Sequence, residues 1–273
     1  MPLILPITDA EDPRIAEYRD VRERDLVGRQ GRFIAEGEVV LRYLAGLKGG
    51  GAGSGSVHHL SSLLLLEAQA LRLADVIETL PAELPVYVAG QDVMDAVVGF
   101  HIHRGILGVG VAAEPRPAQL MLERLGSKAL VVGVVGLANH DNMGGIFRNA
   151  AAFGADMVLL DASCCDPLYR KAIRVSVGAS LVVPFARVES GAQMVAMMEA
   201  AGLDVIALSP SGHERLADLP RPARAAALFG TEGPGLPADV MARTRTVAIP
   251  MSAGFDSLNV ATTSGIVLHH LAG

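Results

Sequence analysis

Asn142 and Arg148 stand six residues apart, with Gly144 and Gly145 between them and an apolar run from Ile146 to Phe153 beyond. An amide and a guanidinium near the start of a helix, where free backbone N–H groups carry partial positive charge, can hold a phosphate or a ribose. A second set, Gly230-Thr231-Glu232-Gly233-Pro234-Gly235, follows the apolar run Ala225 to Phe229. Its glycines allow positive φ and close approach of a flat ligand; Glu232 either accepts backbone hydrogen bonds within the turn or orients Arg148. A third set, Ile249-Pro250-Met251 and then Ser257-Leu258-Asn259-Val260, closes one apolar run and opens another, with Ser257 the expected N-cap of a helix reaching Leu271. Each set also has a purely structural reading: Asn142 as a helix cap and Arg148 as a surface residue, the glycines as a plain strand-to-helix turn, Ser257 as a cap and nothing more. Polar groups directly after apolar runs are what an open α/β sheet presents at its ligand-binding edge.

That edge needs strands. Runs at 129–135, 157–160, 181–184, 204–208, 225–229 and 246–249 have the apolar character of strands buried on both faces, and most are separated by helical spacing. About six strands with intervening helices make residues 129–273 a doubly wound α/β domain. Upstream, strands are expected at 32–35, 60–66, 86–89 and 105–111, with helices at 13–29, 38–47, 67–80 and 91–98, so residues 1–111 form a smaller α/β unit. Residues 112–128 read as a linker, with prolines at its start and a first helix at 118–125. The Gly/Ser-rich stretch 48–56 reads as a loop; no Gly-Lys-Ser/Thr ends it, so it is not a phosphate-binding P-loop.

Bulk properties narrow the classes. A length of 273 residues favours two domains. Although 51% of residues are hydrophobic, no uncharged stretch reaches the roughly 18 residues of a membrane span, and the N-terminus lacks the basic start of a secretory signal. Cys164 and Cys165 are adjacent and unsuited to a structural disulfide, which fits a reducing cytoplasm. A net charge of −6 rules out a coat of positive potential, so contact with nucleic acid must rely on local clusters. Two exist: six arginines from Arg14 to Arg32 among four acidic residues, and Arg170, Lys171 and Arg174. The eight histidines show no zinc-ligand spacing, and no metal is expected. His140 alone adjoins one of the polar sets.

The three stretches, in this order, resemble the signature motifs of the SpoU/TrmH family of SPOUT methyltransferases, over about residues 129–273. The resemblance implies a trefoil-knotted α/β domain, S-adenosylmethionine as methyl donor, a ribose 2′-hydroxyl of tRNA or rRNA as acceptor, and a homodimer. Residues 1–111 loosely resemble the RNA-binding extension of many members. By this resemblance Arg148, Asn142, Glu232, Ser257 and Asn259 form the catalytic set, while Gly230, Ile249, Met251 and Leu258 contact the donor. Arg174 and Ser176, in a further family-like segment from Lys171 to Ser180, contact RNA phosphate or a neighbouring loop. The family's arginine is held to activate the ribose hydroxyl. A guanidinium with a pKa above about 12 is a poor proton acceptor, so stabilising a developing alkoxide is the favoured role for Arg148. Two other classes remain: a catalytically silent RNA-binding module that keeps the fold, and a generic nucleotide or small-molecule enzyme, against which the missing G-x-G-x-x-G and Walker patterns speak.

Overall fold

Five short apolar runs in the first part of the chain pair into one sheet: β1 (Leu3–Ile7), β2 (Arg32–Glu36), β3 (His59–Leu66), β4 (Pro85–Ala89) and β5 (Ile106–Val111), in the order β1-β4-β3-β5-β2. β1, β4 and β3 run parallel; β5 is antiparallel to both β3 and β2. Helices α1 (Glu38–Leu44), α2 (Glu67–Arg72), α3 (Ala74–Ile77) and α4 (Gln91–Val98) connect them. The computed structural model describes residues 2–19, 31–47, 56–231, 233–252 and 257–273. Of the helix expected over 13–29, residues Pro13–Tyr18 form a 3-10 turn, and 20–30 lie outside the described residues, as do 48–55 of the Gly/Ser-rich stretch. The helix expected at 67–80 is interrupted at Leu73, a fully buried residue with φ −101°. β1 was not expected, because Pro2 and Pro6 interrupt its pattern. It lies at the sheet edge, where a missing N–H is tolerated.

Of the later strands, those at 129–134, 157–161 and 224–229 are buried almost throughout. α5 (Ala118–Leu122), β6 (Ala129–Val134), α6 (His140–Ala152), β7 (Met157–Asp161), α7 (Arg170–Val175), β8 (Phe185–Val188), α8 (Gly191–Ala200), β9 (Asp204–Leu208), β10 (Glu214–Arg215), β11 (Arg224–Phe229), α9 (Ala238–Met241), β12 (Arg245–Ala248) and α10 (Val260–Ala272) follow in sequence. Their seven strands form an all-parallel sheet in the order β10-β12-β9-β11-β6-β7-β8. Val131, Leu159, Val205 and Leu228 meet α5 and α8 on one face. Alternate residues turn the other way, where α6 and α10 pack. The strand expected at 181–184 is absent. Residues 179–181 make a 3-10 turn and the strand starts only at Phe185, because Pro184 has no N–H to enter a ladder, although its carbonyl accepts from Val158 N–H.

The chain separates into two units, one of residues 1–114 with 168–182, the other of residues 115–167 with 183–273. The segment 168–182 thus packs away from its sequence neighbours on both sides. Glu36 takes the Arg170 guanidinium at 2.7 Å, and Gly178 lies against the Tyr43 ring. Among the described residues no helix is long and apolar enough to cross a membrane.

Candidate functional site

In the seven-stranded sheet β6, β7 and β8 step outward in one direction, while β9, β11 and β12 lie on the other side of β6. The carboxyl ends of all these parallel strands lie along one edge, where an open α/β sheet takes its ligands, and here the ends of β9, β11 and β12 enclose a cavity. Leu208-Ser209-Pro210 from β9, the turn after Phe229 from β11, and Ile249 and Met251 after β12 surround a cavity of about 410 Å³, completed by Ser257, Leu258, Asn259, Val260 and Thr263 at the start of α10. That volume lies within the roughly 300–1,000 Å³ of small-molecule sites. Gly230 is sterically obligatory in its wall: a Cβ there would lie 2.4 Å from the backbone of Gly235 and Leu236. The turn is kept tight by left-handed Gly233 and Gly235, with φ of 94° and 72°, and by a bridge between Thr231 and Gly235.

Two helix starts lie beside this cavity, and neither is capped as expected. α6 begins at His140, well before Ile146, because the Asn139 side chain accepts from the N–H groups of Asp141 and Asn142. Asn142 therefore sits in the first turn, buried, and is not the cap. Arg148 is eight residues into the helix, about 12 Å along its axis at 1.5 Å per residue, beyond reach of the terminal dipole. Likewise Asn259, not Ser257, caps α10: its Oδ1 accepts from Ala261 and Thr262 N–H at 2.9 and 3.2 Å. With Oδ1 committed to the cap, Asn259 Nδ2 donates to Asn142 Oδ1 at 2.8 Å, so one side chain ties the two helix starts together. Asn149 Nδ2 repeats the link one stage on, at 2.7 Å from Ala261 O and 2.9 Å from Ser264 Oγ. Gly145 permits this closeness, since a Cβ there would fall 2.5 Å from that of Ala261.

Six of the residues singled out from sequence, Gly230, Ile249, Met251, Ser257, Leu258 and Asn259, line one cavity, and Asn142 reaches it through Asn259. Arg148 is exposed on α6, is not part of the lining, and makes no ion pair or hydrogen bond among the described residues. Glu232 lies outside the described residues. Arg174 and Ser176 belong to the other unit. Ser176 is buried there, with Oγ 3.0 Å from Ile173 O and accepting from Ser180 N–H at 3.3 Å, so it shapes its own turn; Arg174 is exposed. Sequence reading missed Ser209, Pro210 and Thr263. Ser209-Pro210 carries the same signal as the other sets, polar residues after a β-run, but no glycine drew attention to it.

Asp161 is a buried carboxylate at the end of β7. It accepts from Gly136 N–H at 3.0 Å and from the Ser163 hydroxyl, fixing the left-handed turn that leads from β6 toward α6. Cys164 and Cys165 are free thiols, and burial pushes them up to about 12 and about 11, far from a reactive thiolate. Among the described residues no group of three or more His, Cys, Asp or Glu gathers to hold a metal ion.

The chain matches known proteins along nearly all of its length. A model of the SpoU rRNA Methylase family matches residues 129–269, the part containing the cavity. An uncharacterized tRNA/rRNA methyltransferase of Mycobacterium tuberculosis is 35% identical over 275 residues, an alignment covering 96% of this chain and 90% of the relative. Among solved structures, an AdoMet-bound rRNA methyltransferase from Sinorhizobium meliloti superposes with a TM-score of 0.80 at 20% identity, covering 98% of this chain and 97% of that one. An RNA 2′-O ribose methyltransferase superposes with a TM-score of 0.78 at 24% identity, covering 98% of each. At these identities the two structures speak to the fold; the family match and the mycobacterial relative speak to descent. A chain whose parallel sheet carries this cavity at the carboxyl ends of β9, β11 and β12, inside the matched residues, therefore belongs to the SpoU family of RNA methyltransferases.

Proposed function

We propose that this protein methylates a ribose 2′-hydroxyl of structured RNA, tRNA or rRNA, using S-adenosylmethionine. The observation that carries the reading is the convergence of Gly230, Ile249, Met251 and Leu258 on one cavity of about 410 Å³ beside the linked amides of Asn142 and Asn259. The lining fits the donor: apolar Leu208, Ile249, Met251 and Leu258 suit an adenine face, and the Gly230 turn lets backbone approach the ligand closely. Bound there, S-adenosylmethionine supplies an electrophilic methyl group. The residues around it hold the acceptor oxygen near and in line, which is worth several orders of magnitude in rate. The acceptor hydroxyl would give up its proton to water. Arg148 supplies positive charge to the oxygen as it loses that proton, and its exposed guanidinium, without an ion pair among the described residues, is placed to meet an RNA. Ser257 and Asn259 position the loops and the acceptor, and Glu232 either orders the glycine turn or orients Arg148.

The remaining features of the reading are a trefoil knot formed by the cavity loops, a homodimer, a first unit serving as RNA-binding domain, and a cytoplasmic location. Leu258 and Ile266, 43% and 40% exposed near and on α10, are apolar surface that a second copy would cover. The test is mass-spectrometric mapping of methylated nucleosides in tRNA and rRNA incubated with the protein and labelled S-adenosylmethionine, beside calorimetry of donor binding. Label on a ribose 2′-oxygen is expected. Label on a base refutes the acceptor, and RNA binding without donor binding identifies a silent module.

A further inference from the structure

The first unit contains a recess of about 510 Å³, lined by Arg72, Arg104, Arg174 and His103 together with Glu36 and Glu38. Its carboxylates are already committed. Glu36, buried, takes Arg170 Nη2 at 2.7 Å, which leaves Arg174 at 3.8 Å with 44% of its side chain exposed. Glu38 is shared at 3.0 Å by Arg42 and at 2.9 Å by Arg72, and Arg42 also pairs with Asp75. Around the recess five arginines thus face three carboxylates, on a chain whose net charge is −6. Arg104 makes no ion pair or hydrogen bond among the described residues. It reaches the recess across Gly37, whose φ is 96° and whose missing Cβ would stand 3.2 Å from Arg104 Nη1.

Val177 also lines the recess and is, among the described residues, the one non-glycine residue with positive φ, at 55°. A β-branched residue held there is strained, and such strain collects at ligand sites. Sequence alone hides this cluster, because its members come from segments 36–40, 69–72, 103–106 and 174–177.

We propose that this recess binds a backbone phosphate of the RNA substrate, with Arg104, Arg72 and Arg174 as the contacting groups. Planar guanidinium forks suit the paired oxygens of a phosphodiester. The inference rests on the proposed RNA substrate, and adds where in the first unit the backbone is gripped.

The test uses the full chain with bulk tRNA as probe, measured by fluorescence anisotropy over a series of salt concentrations. Each lost phosphate contact lowers the slope of log K against log salt by about 0.7–0.9. Arg72→Ala/Arg104→Ala is therefore expected to lower it by about 1.4–1.8 and to weaken tRNA binding at least tenfold, with affinity for S-adenosylmethionine unchanged. Arg104→Lys, which keeps the charge, is expected to retain its share of the slope. Arg14→Ala/Arg243→Ala removes the same charge elsewhere and is expected to leave the slope as it was. An unchanged slope and affinity in the Arg72/Arg104 variant overturns this site while leaving the methyltransferase reading intact. Wild-type protein that binds donor but no tRNA, or neither, overturns the RNA reading and this inference with it.

Discussion

Replacing Gly230 by alanine tests whether the cavity is the donor site. The added Cβ would lie 2.4 Å from Gly235 C and Leu236 N and 2.6 Å from Gly235 O, where ordinary contact begins at 3.4 Å. All three are backbone atoms, so no side chain can swing aside, and the 235–236 segment must retreat by about 1 Å. Overpacking of this kind costs about 1–3 kcal/mol. The retreat is borne by the turn that forms the cavity wall, since Gly233 and Gly235 line the same space. A displacement of about 1 Å can lower a rate about a hundredfold. Titration calorimetry with S-adenosylmethionine is expected to show at least tenfold weaker binding, about 1.4 kcal/mol, with a fall in thermal midpoint. Gly126→Ala, whose Cβ would meet nothing closer than Lys128 O at 3.6 Å, is the control and should bind as wild type does. A Gly230→Ala protein with undiminished donor affinity would refute the assignment of this cavity.

Arg148→Ala is expected to lower methyl transfer by about 10²–10³-fold with donor affinity nearly intact; an equal loss of both would contradict its role toward the acceptor. Asn259→Ala removes the α10 cap and the bond to Asn142, and should cost about 1–2 kcal/mol in urea unfolding, whereas a cost near zero would mean the cap is replaced by water. Burial lowers the His58 imidazole to about 4, and its Nδ1 accepts from Ala113 N–H at 3.0 Å. The unfolded chain takes up this proton near pH 6.5, so the contribution is full above pH 6.5. It is lost as pH falls toward 4, by as much as about 3 kcal/mol. Urea midpoints should drop over that window, and His58→Asn should flatten the drop. With thiols raised to about 12 and about 11, Cys164 and Cys165 should resist iodoacetamide at pH 8 in the native state and react once unfolded; rapid native alkylation, followed by mass spectrometry, would count against the burial.

Local pattern was enough for most of the strands. Continuous apolar runs such as 129–134 can only be strands covered on both faces, and they mark the parallel sheet. The three polar sets were legible because each follows such a run, and the carboxyl ends of a parallel sheet share one edge. Six of the singled-out residues line one cavity for that reason. Boundaries and caps were harder. Asn139 and Asn259 took the caps from Asn142 and Ser257, a choice between neighbouring side chains that depends on which one reaches the free N–H groups. Pro184 moved a strand by deleting one donor.

Only the tertiary structure could decide what long-range contact decides. The bond between Asn142 and Asn259 joins residues 117 positions apart, and no spacing rule foretells it. Gly230 is obligatory because of where Gly235 and Leu236 come to lie. Segment 168–182 groups with residues 1–114, and its Arg170 pairs with Glu36, 134 positions away. Composition and periodicity record how each residue treats its near neighbours and water. Which distant groups share a cavity depends on the order in which strands pair, and that order follows from the packing of the whole chain.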